Sequence, residues 1–263
     1  MSGGRTRTVL VESVGADGRR RGPDELVVEE PLEIRLDGHL VATTMRTPGH
    51  DVELAVGWCH GDGLLDGARV LAARHCGDGS TGTYNVIDVD TGGRAPEPAP
   101  RLGNVSSSCG LCGSVALGEL VDRLGPVGEV PDHDADLLAR LVDEVTSQQT
   151  LFGATGSVHG AAAFDAAGSI DVVREDIGRH NAVDKVVGRR LLDDALPDSD
   201  EGLIVTGRAS FEMVQKAWAA GFGTLVAVSG PSALAVEAAR RAGLTLVGFA
   251  RGDRLNVYAG TVG

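Results

Sequence analysis

The sequence predicts an α/β protein: a three-layer sandwich whose mixed sheet is covered by helices, preceded by an N-terminal β-hairpin region. Three observations lead there. From about residue 157 onward, strand-like runs alternate with helical patterns, as in a sheet covered by helices. Upstream, the period-two alternation LVVEEPLEIRL, then Asp37-Gly38, then HLVATTM reads as a β-hairpin with a primed turn. The chain of 263 residues is 42% hydrophobic but only 3% aromatic, with 38 glycines, so the core must be Val, Leu, Ala and Ile joined by many tight turns.

Taken in order, residues 1–24 show little apolar periodicity and carry Arg19-Arg20-Arg21-Gly22-Pro23, which predicts a mobile N-terminal arm or a solvated edge. Residues 25–104 form a β-rich lobe. In it, Pro31 predicts an edge strand or bulge, residues 51–60 a helix after Pro48-Gly49, and 70–76 and 83–89 strands. A Pro/Gly-rich loop, TGGRAPEPAPR (91–101), leads into the main α/β domain, residues 105–263. There, helices are expected at about 114–124 and 134–149, with Asp132 or Asp134 as cap. Strands follow near 157–164, 169–173, 202–206, 224–228 and 244–249, with helices at 180–195, 211–220 and 232–242.

The formal charge of −13 argues against a general nucleic-acid or anionic-membrane binder, because phosphate surfaces require net positive charge. No stretch has the apolar length of a signal peptide or a membrane span, which places the protein in the cytoplasm. In that reducing compartment, close cysteines point to catalysis or metal binding and not to disulfides. The 24 basic side chains include only two lysines, Lys185 and Lys216, positions that would suit a compact ammonium better than a planar fork.

Cys109 and Cys112 form a CxxC pair in SSSCGLCG, flanked by glycines, with a helix expected to begin at Ser114. The partial positive charge of a helix N-terminus lowers a thiol pKa, and the thiolate is the form that attacks a sulfur donor. The same spacing is compatible with half a zinc site completed by Cys59, Cys76, His60, His75 or His159, and hence with a zinc-stabilised nucleotide-binding module. The zinc nucleobase deaminases place a His-x-Glu before the cysteines; here His159-Gly160-Ala161 follows them and lacks the glutamate.

A second cluster, REDIGRHNAVDKVVG (174–188), gathers Arg174, Arg179, His180, Asn181, Asp184 and Lys185 where a strand runs into a helix. Positions 180 and 184, and 181 and 185, share helical faces. The segment is either an anion site or an amphipathic helix with ordinary salt bridges. Further strand-to-helix turns hold Gly207, Arg208 and Ser210, the last a cap candidate, and SGPSA at 229–233. The turn in GFARGDRLNVY carries Arg251 and Arg254 between two strands. Such turns at strand carboxyl ends are where open α/β sheets bind nucleotides.

CGLCG (109–113), TGSVHGAA (155–162), REDIGRHNAVDKVVG, GRASFEMVQKA (207–217) and GFARGDRLNVY together resemble the formate dehydrogenase accessory sulfurtransferases, the FdhD family, over roughly residues 25–260. The resemblance implies a cytidine-deaminase-like fold without deaminase chemistry, and a homodimer. It implies a carrier that takes persulfide sulfur from a cysteine desulfurase and passes it to the molybdenum of the bis-(molybdopterin guanine dinucleotide) cofactor destined for formate dehydrogenase. Cys109 would carry the persulfide and Cys112 would be its accessory thiol. Phe249, Ala250, Arg251, Gly252, Asp253 and Arg254 would contact the cofactor, for which GDP-like nucleotides would be mimics. His159, Arg179, His180 and Arg208 are added to that pocket, and no resident metal is expected.

Overall fold

The computed structural model describes residues 4–16, 18–76, 85–98 and 113–263, with side chains from 117 onward in the last segment. Strands β1 (Thr6–Gly15) and β2 (Gly18–Val27) form a two-stranded antiparallel sheet. The segment expected to be a mobile arm or a solvated edge thus holds a β-hairpin. Both faces of the hairpin are largely solvated, with Leu10 85% exposed, so no apolar alternation marks it. The ladder runs on to Val28, whose amide donates to the Arg5 carbonyl, and the hairpin meets the body through contacts of β2 with helix α4 (Thr150–Thr155).

A four-stranded sheet follows, in the order β4-β3-β6-β5, from β3 (Glu30–Leu36), β4 (His39–Arg46), β5 (Ala72–His75) and β6 (Val86–Asp90). The hairpin between β3 and β4 turns where predicted. Asp37 (φ 48°) and Gly38 (φ 83°) both take the positive φ that a primed turn requires. The Asp37 carboxylate also accepts from the Thr91 amide at 2.7 Å, tying the turn to the end of β6. Pro31 does not mark an edge: β3 is internal. Its pairing with β6 starts only at Glu33, so the proline lies before that ladder and its missing N–H removes no bond from it. Helix α1 (Asp51–Gly61) covers this sheet, and Leu32, Ile34, Leu54, Val56 and Ile87 fill the space between.

The larger sheet has six strands in the order β12-β11-β10-β9-β7-β8: β7 (His159–Phe164), β8 (Ile170–Asp176), β9 (Gly202–Val205), β10 (Thr224–Ala227), β11 (Thr245–Arg251) and β12 (Arg254–Ala259). β9, β10 and β11 run parallel, and the remaining neighbours are antiparallel, so the sheet is mixed as predicted. One face packs on α3 (Ala135–Gln148) through Leu138, Leu141, Val142, Phe164 and Ile204. The other packs on α5 (Arg179–Leu192), α6 (Phe211–Ala220) and α7 (Ala233–Ala242), with α2 (Gly113–Leu124) beyond them. Asp134 caps α3 by accepting from Leu137 N at 2.8 Å. The six-residue helix α4 is too short to leave a periodic signature and was not predicted.

The two sheets are joined by α1 against α5. A Cβ at Gly57 would overlap the Asp184 carbonyl and one at Gly188 the Glu53 carbonyl, so these glycines let the two backbones touch. Lys185, fully buried, donates to the carbonyls of Thr47 and Glu175 and pairs with Asp176 at 2.7 Å. Asp176 in turn accepts from Thr47 N, and Asn181 Nδ2 donates to the Met45 carbonyl. The end of β4 is thereby fastened to the start of α5. Among the described residues, no helix is long and apolar enough to cross a membrane.

Candidate functional site

The parallel strands β9, β10 and β11 end on one edge of the large sheet, and because β7 runs antiparallel to β9, its first residue, His159, lies on that same edge. The turns leaving these strands are knitted together. Ser229 N donates to the Gly207 carbonyl (3.3 Å), Ser232 N to that of Ala209 (3.1 Å), and Phe249 N to that of Ser229 (3.3 Å). Together these turns frame the carboxyl ends of the strands, where open α/β sheets hold ligands in a strand-end cleft.

At one end of the cleft stand His159, Arg179 and His180. His159 Nδ1 and Arg179 Cδ each come within 3.5 Å of where a Cβ on Gly207 would sit, so imidazole and guanidinium flank that glycine. Arg179 opens α5, and its Nε is buried without a hydrogen-bond partner. Burial lowers the pKa of His159, reinforced by the charges of Arg179 and His180 and opposed by Asp176, which disfavours its protonated form. His180 Nε2 lies 2.6 Å from Glu212 Oε2. That contact outweighs burial and keeps the Glu212 carboxyl below its ordinary range. Arg208 is exposed in the β9–α6 turn. Ser210 occupies the N-cap position of α6, as predicted, but its hydroxyl does not cap: Oγ is buried and unpaired, whereas Ser232 at the head of α7 accepts from Ala235 N at 3.2 Å.

At the other end, the β11–β12 turn presents Arg251, Gly252, Asp253 and Arg254 to solvent, with Gly252 at φ 58°. Phe249 stands beside it with φ 52°, a left-handed conformation that a bulky residue adopts only under constraint from its surroundings. Its ring is half exposed and lies over Gly230, where a Cβ would come within 2.7 Å of Cζ. Ala250 faces the opposite way. Its methyl is buried with Val226 and Val247 against α3, so only its backbone is available to a ligand.

The block 174–188 divides differently from either sequence expectation. Arg174 is held bidentately by Glu53, at 2.6 and 2.8 Å. Asn181 and Lys185 face the 45–47 segment, and Asp184 pairs with Lys216 of α6 at 2.7 Å. Only Arg179 and His180 reach the cleft, and the remaining polar groups form buried supports, not a solvated helix face. Lys216 likewise pairs across helices instead of with Glu212 on its own. Glu212 was not assigned to the site from the sequence; its i, i+4 match with Lys216, opposite that of His180 with Asp184, is the signal that could have done so.

Cys109 and Cys112 lie outside the described residues. Helix α2 begins at Gly113, the residue after Cys112 in the chain, and packs on α6 and α7. The proposed zinc partners are dispersed. Cys59 is wholly buried in α1, and the His60 ring contacts the Ala219 carbonyl at 2.8 Å. His159 stands on the strand edge. No cluster of three or more His, Cys, Asp or Glu among the described residues could hold a metal ion.

Fold and site together define an α/β protein that gathers arginines and a half-exposed aromatic ring at the carboxyl ends of its strands. Residues 27–262 match the model of the FdhD/NarQ family, and the chain belongs to that family. It is 49% identical to the sulfur carrier protein FdhD of Streptomyces coelicolor, over 90% of this chain and 88% of the relative. It is 46% identical to the protein of the same name from Nocardia farcinica, over 99% and 95%. A crystal structure from Desulfotalea psychrophila, provisionally described as a formate dehydrogenase accessory protein, shares the fold with a TM-score of 0.78 over 98% of both chains, at 24% identity.

Proposed function

We propose that this protein is a sulfur carrier acting as a cytoplasmic sulfurtransferase in the service of formate dehydrogenase. Its substrate is the bis-(molybdopterin guanine dinucleotide) molybdenum cofactor. Cys109, as thiolate, attacks the outer sulfur of a persulfide on a cysteine desulfurase. The donor's S–S bond breaks, the donor cysteine leaves as thiolate, and the sulfur is held on Cys109 as a persulfide; attack of the Cys112 thiolate on Cys109 Sγ then breaks that S–S bond, forms a Cys109–Cys112 disulfide and releases the sulfur as sulfide to the molybdenum, the thiol pair supplying the two electrons.

The observation that carries this reading is the set of side chains gathered at the strand ends. Arg179, Arg208, Arg251 and Arg254 supply cations for the phosphates of a dinucleotide cofactor, and the half-exposed Phe249 ring supplies a face on which a guanine can stack. Helix α2, which packs on α6, starts one residue beyond the cysteine pair in the chain.

Two measurements test it. Incubation with a cysteine desulfurase and cysteine, followed by mass spectrometry, should show one added sulfur atom on the Cys109 peptide; its absence would sink the carrier role. Titration calorimetry with GDP should show binding that Arg251→Ala weakens without blocking persulfide formation, and an unchanged affinity would remove Arg251 from the site.

A further inference from the structure

Helices α5 and α6 face each other through two rungs of paired side chains set one helical turn apart. The outer rung is His180 with Glu212, at 2.6 Å, and the inner rung is Asp184 with Lys216, at 2.7 Å. Both pairs use the i, i+4 spacing, so the two helices are matched in register. The inner rung is closed to solvent, with side-chain exposures of 1% and 8%, and it packs on α1, where a Cβ at Gly61 would come within 3.2 Å of Lys216 Cγ and Nζ. The outer rung opens onto the cleft: His180 is 15% exposed and Glu212 39%.

We propose that Glu212 is a positioning residue for the anion-binding cleft, holding the His180 imidazole against α6 so that it stands beside Arg179 and faces the phosphates of the bound ligand. This role rests on the cofactor reading of the cleft. Three features point to it. Glu212 is the only carboxylate in the first turn of α6, where an acidic group beside a site for anions works against binding unless its oxygens are engaged by a partner. Its partner is the one histidine of α5, next to Arg179 in the chain. The buried rung beneath fixes the spacing of the helices, so the reach of Glu212 to His180 is set by the fold and not by a flexible surface.

The sign of one substitution separates this role from that of a bystander. If Glu212 acted only through its charge, Glu212→Gln would remove a repulsion and tighten the binding of GDP. If it positions His180, the same substitution frees the ring and weakens binding, by roughly tenfold on the scale of couplings between contacting residues. Titration calorimetry with GDP on the wild-type chain, Glu212→Gln, His180→Ala and the double variant decides it. The expected result is a loss in Glu212→Gln that disappears in the His180→Ala background, since a positioning residue has no effect once its client is gone. Unchanged or tighter binding in Glu212→Gln overturns the role, as does an equal loss in both backgrounds, which would mark a general structural defect. Absence of GDP binding by the wild-type chain overturns the cofactor reading itself, and is told apart because it precedes any substitution.

Discussion

Lys216 Nζ stands 2.7 Å from Asp184 Oδ1 in a space that admits almost no solvent, and Lys185, the other lysine of the chain, is paired with Asp176 in the same way. Every other basic side chain is an arginine. Burial pushes Asp184 up to about 6 despite the neighbouring ammonium. Burial also works against the Lys216 ammonium, but Asp184 and Asp62 outweigh it and raise its pKa. Lys216 packs on the bare Cα of Gly61, where a guanidinium would find no room.

Lys216→Met therefore leaves Asp184 without its counter-charge and should destabilise the protein by about 3–5 kcal/mol, read from the urea midpoint. Lys216→Arg should also lower the midpoint, through crowding. Removing both charges, in Lys216→Met with Asp184→Leu, should recover most of the loss. A Lys216→Met variant as stable as wild type would show that the pair contributes nothing to the joining of α1, α5 and α6.

Much of this was legible beforehand. The alternation after residue 157 gave the strands and helices of the large sheet, and Asp37-Gly38 gave the hairpin turn, because local periodicity and turn chemistry decide those features. The supports of the site were not, because their partners are remote. Arg174 meets Glu53 and Asn181 meets Met45 across more than a hundred residues, and nothing in REDIGRHNAVDK tells a cation destined for a buried carboxylate from one destined for a ligand. Phe249 was assigned to the cofactor by resemblance alone. The positive φ that aims it is ordinarily the sign of a glycine, and the sequence carries no mark of it.

The Glu53–Arg174 pair makes a prediction about acid stability. Burial alone would raise Glu53, but the bidentate bond from Arg174, helped by His50, outweighs it and brings the carboxyl from an ordinary 4.5 to about 2. A carboxyl with a lowered folded pKa adds stability in full above about pH 4.5 and loses it as the pH falls toward 2, with roughly 3 kcal/mol at stake. Chemical denaturation of wild type and Glu53→Gln across that window should show a steeper loss in the wild type. Parallel slopes would mean that Glu53 titrates alike in the folded and unfolded chains.

Cys59 should be chemically silent. Burial, followed by the negative charges of Asp62 and Asp184, pushes its thiol far above the ordinary range, and no solvent reaches it. In a chain carrying Cys109→Ser and Cys112→Ser, a thiol reagent should titrate one group in the native state, the partly exposed Cys76, and two in denaturant. Rapid native labelling of Cys59 would mean that α1 opens readily from its sheet.

The ring of Phe249 offers the sharpest test of the nucleotide end of the cleft. Phe249→Ala removes the stacking face, and a base–aromatic contact is worth about 1–3 kcal/mol, so GDP affinity should fall by about fivefold or more. The same variant loses buried ring surface, so the loss alone does not prove stacking. Gly230→Ala supplies the control: it leaves the ring in the chain but places a methyl 2.7 Å from Phe249 Cζ, too close for contact, and forces the ring from its seat. If the position of the ring matters, Gly230→Ala weakens GDP binding nearly as much as Phe249→Ala, and the two effects do not add in the double variant. Full additivity, or wild-type affinity in Gly230→Ala, would show that Phe249 acts at a distance from the base.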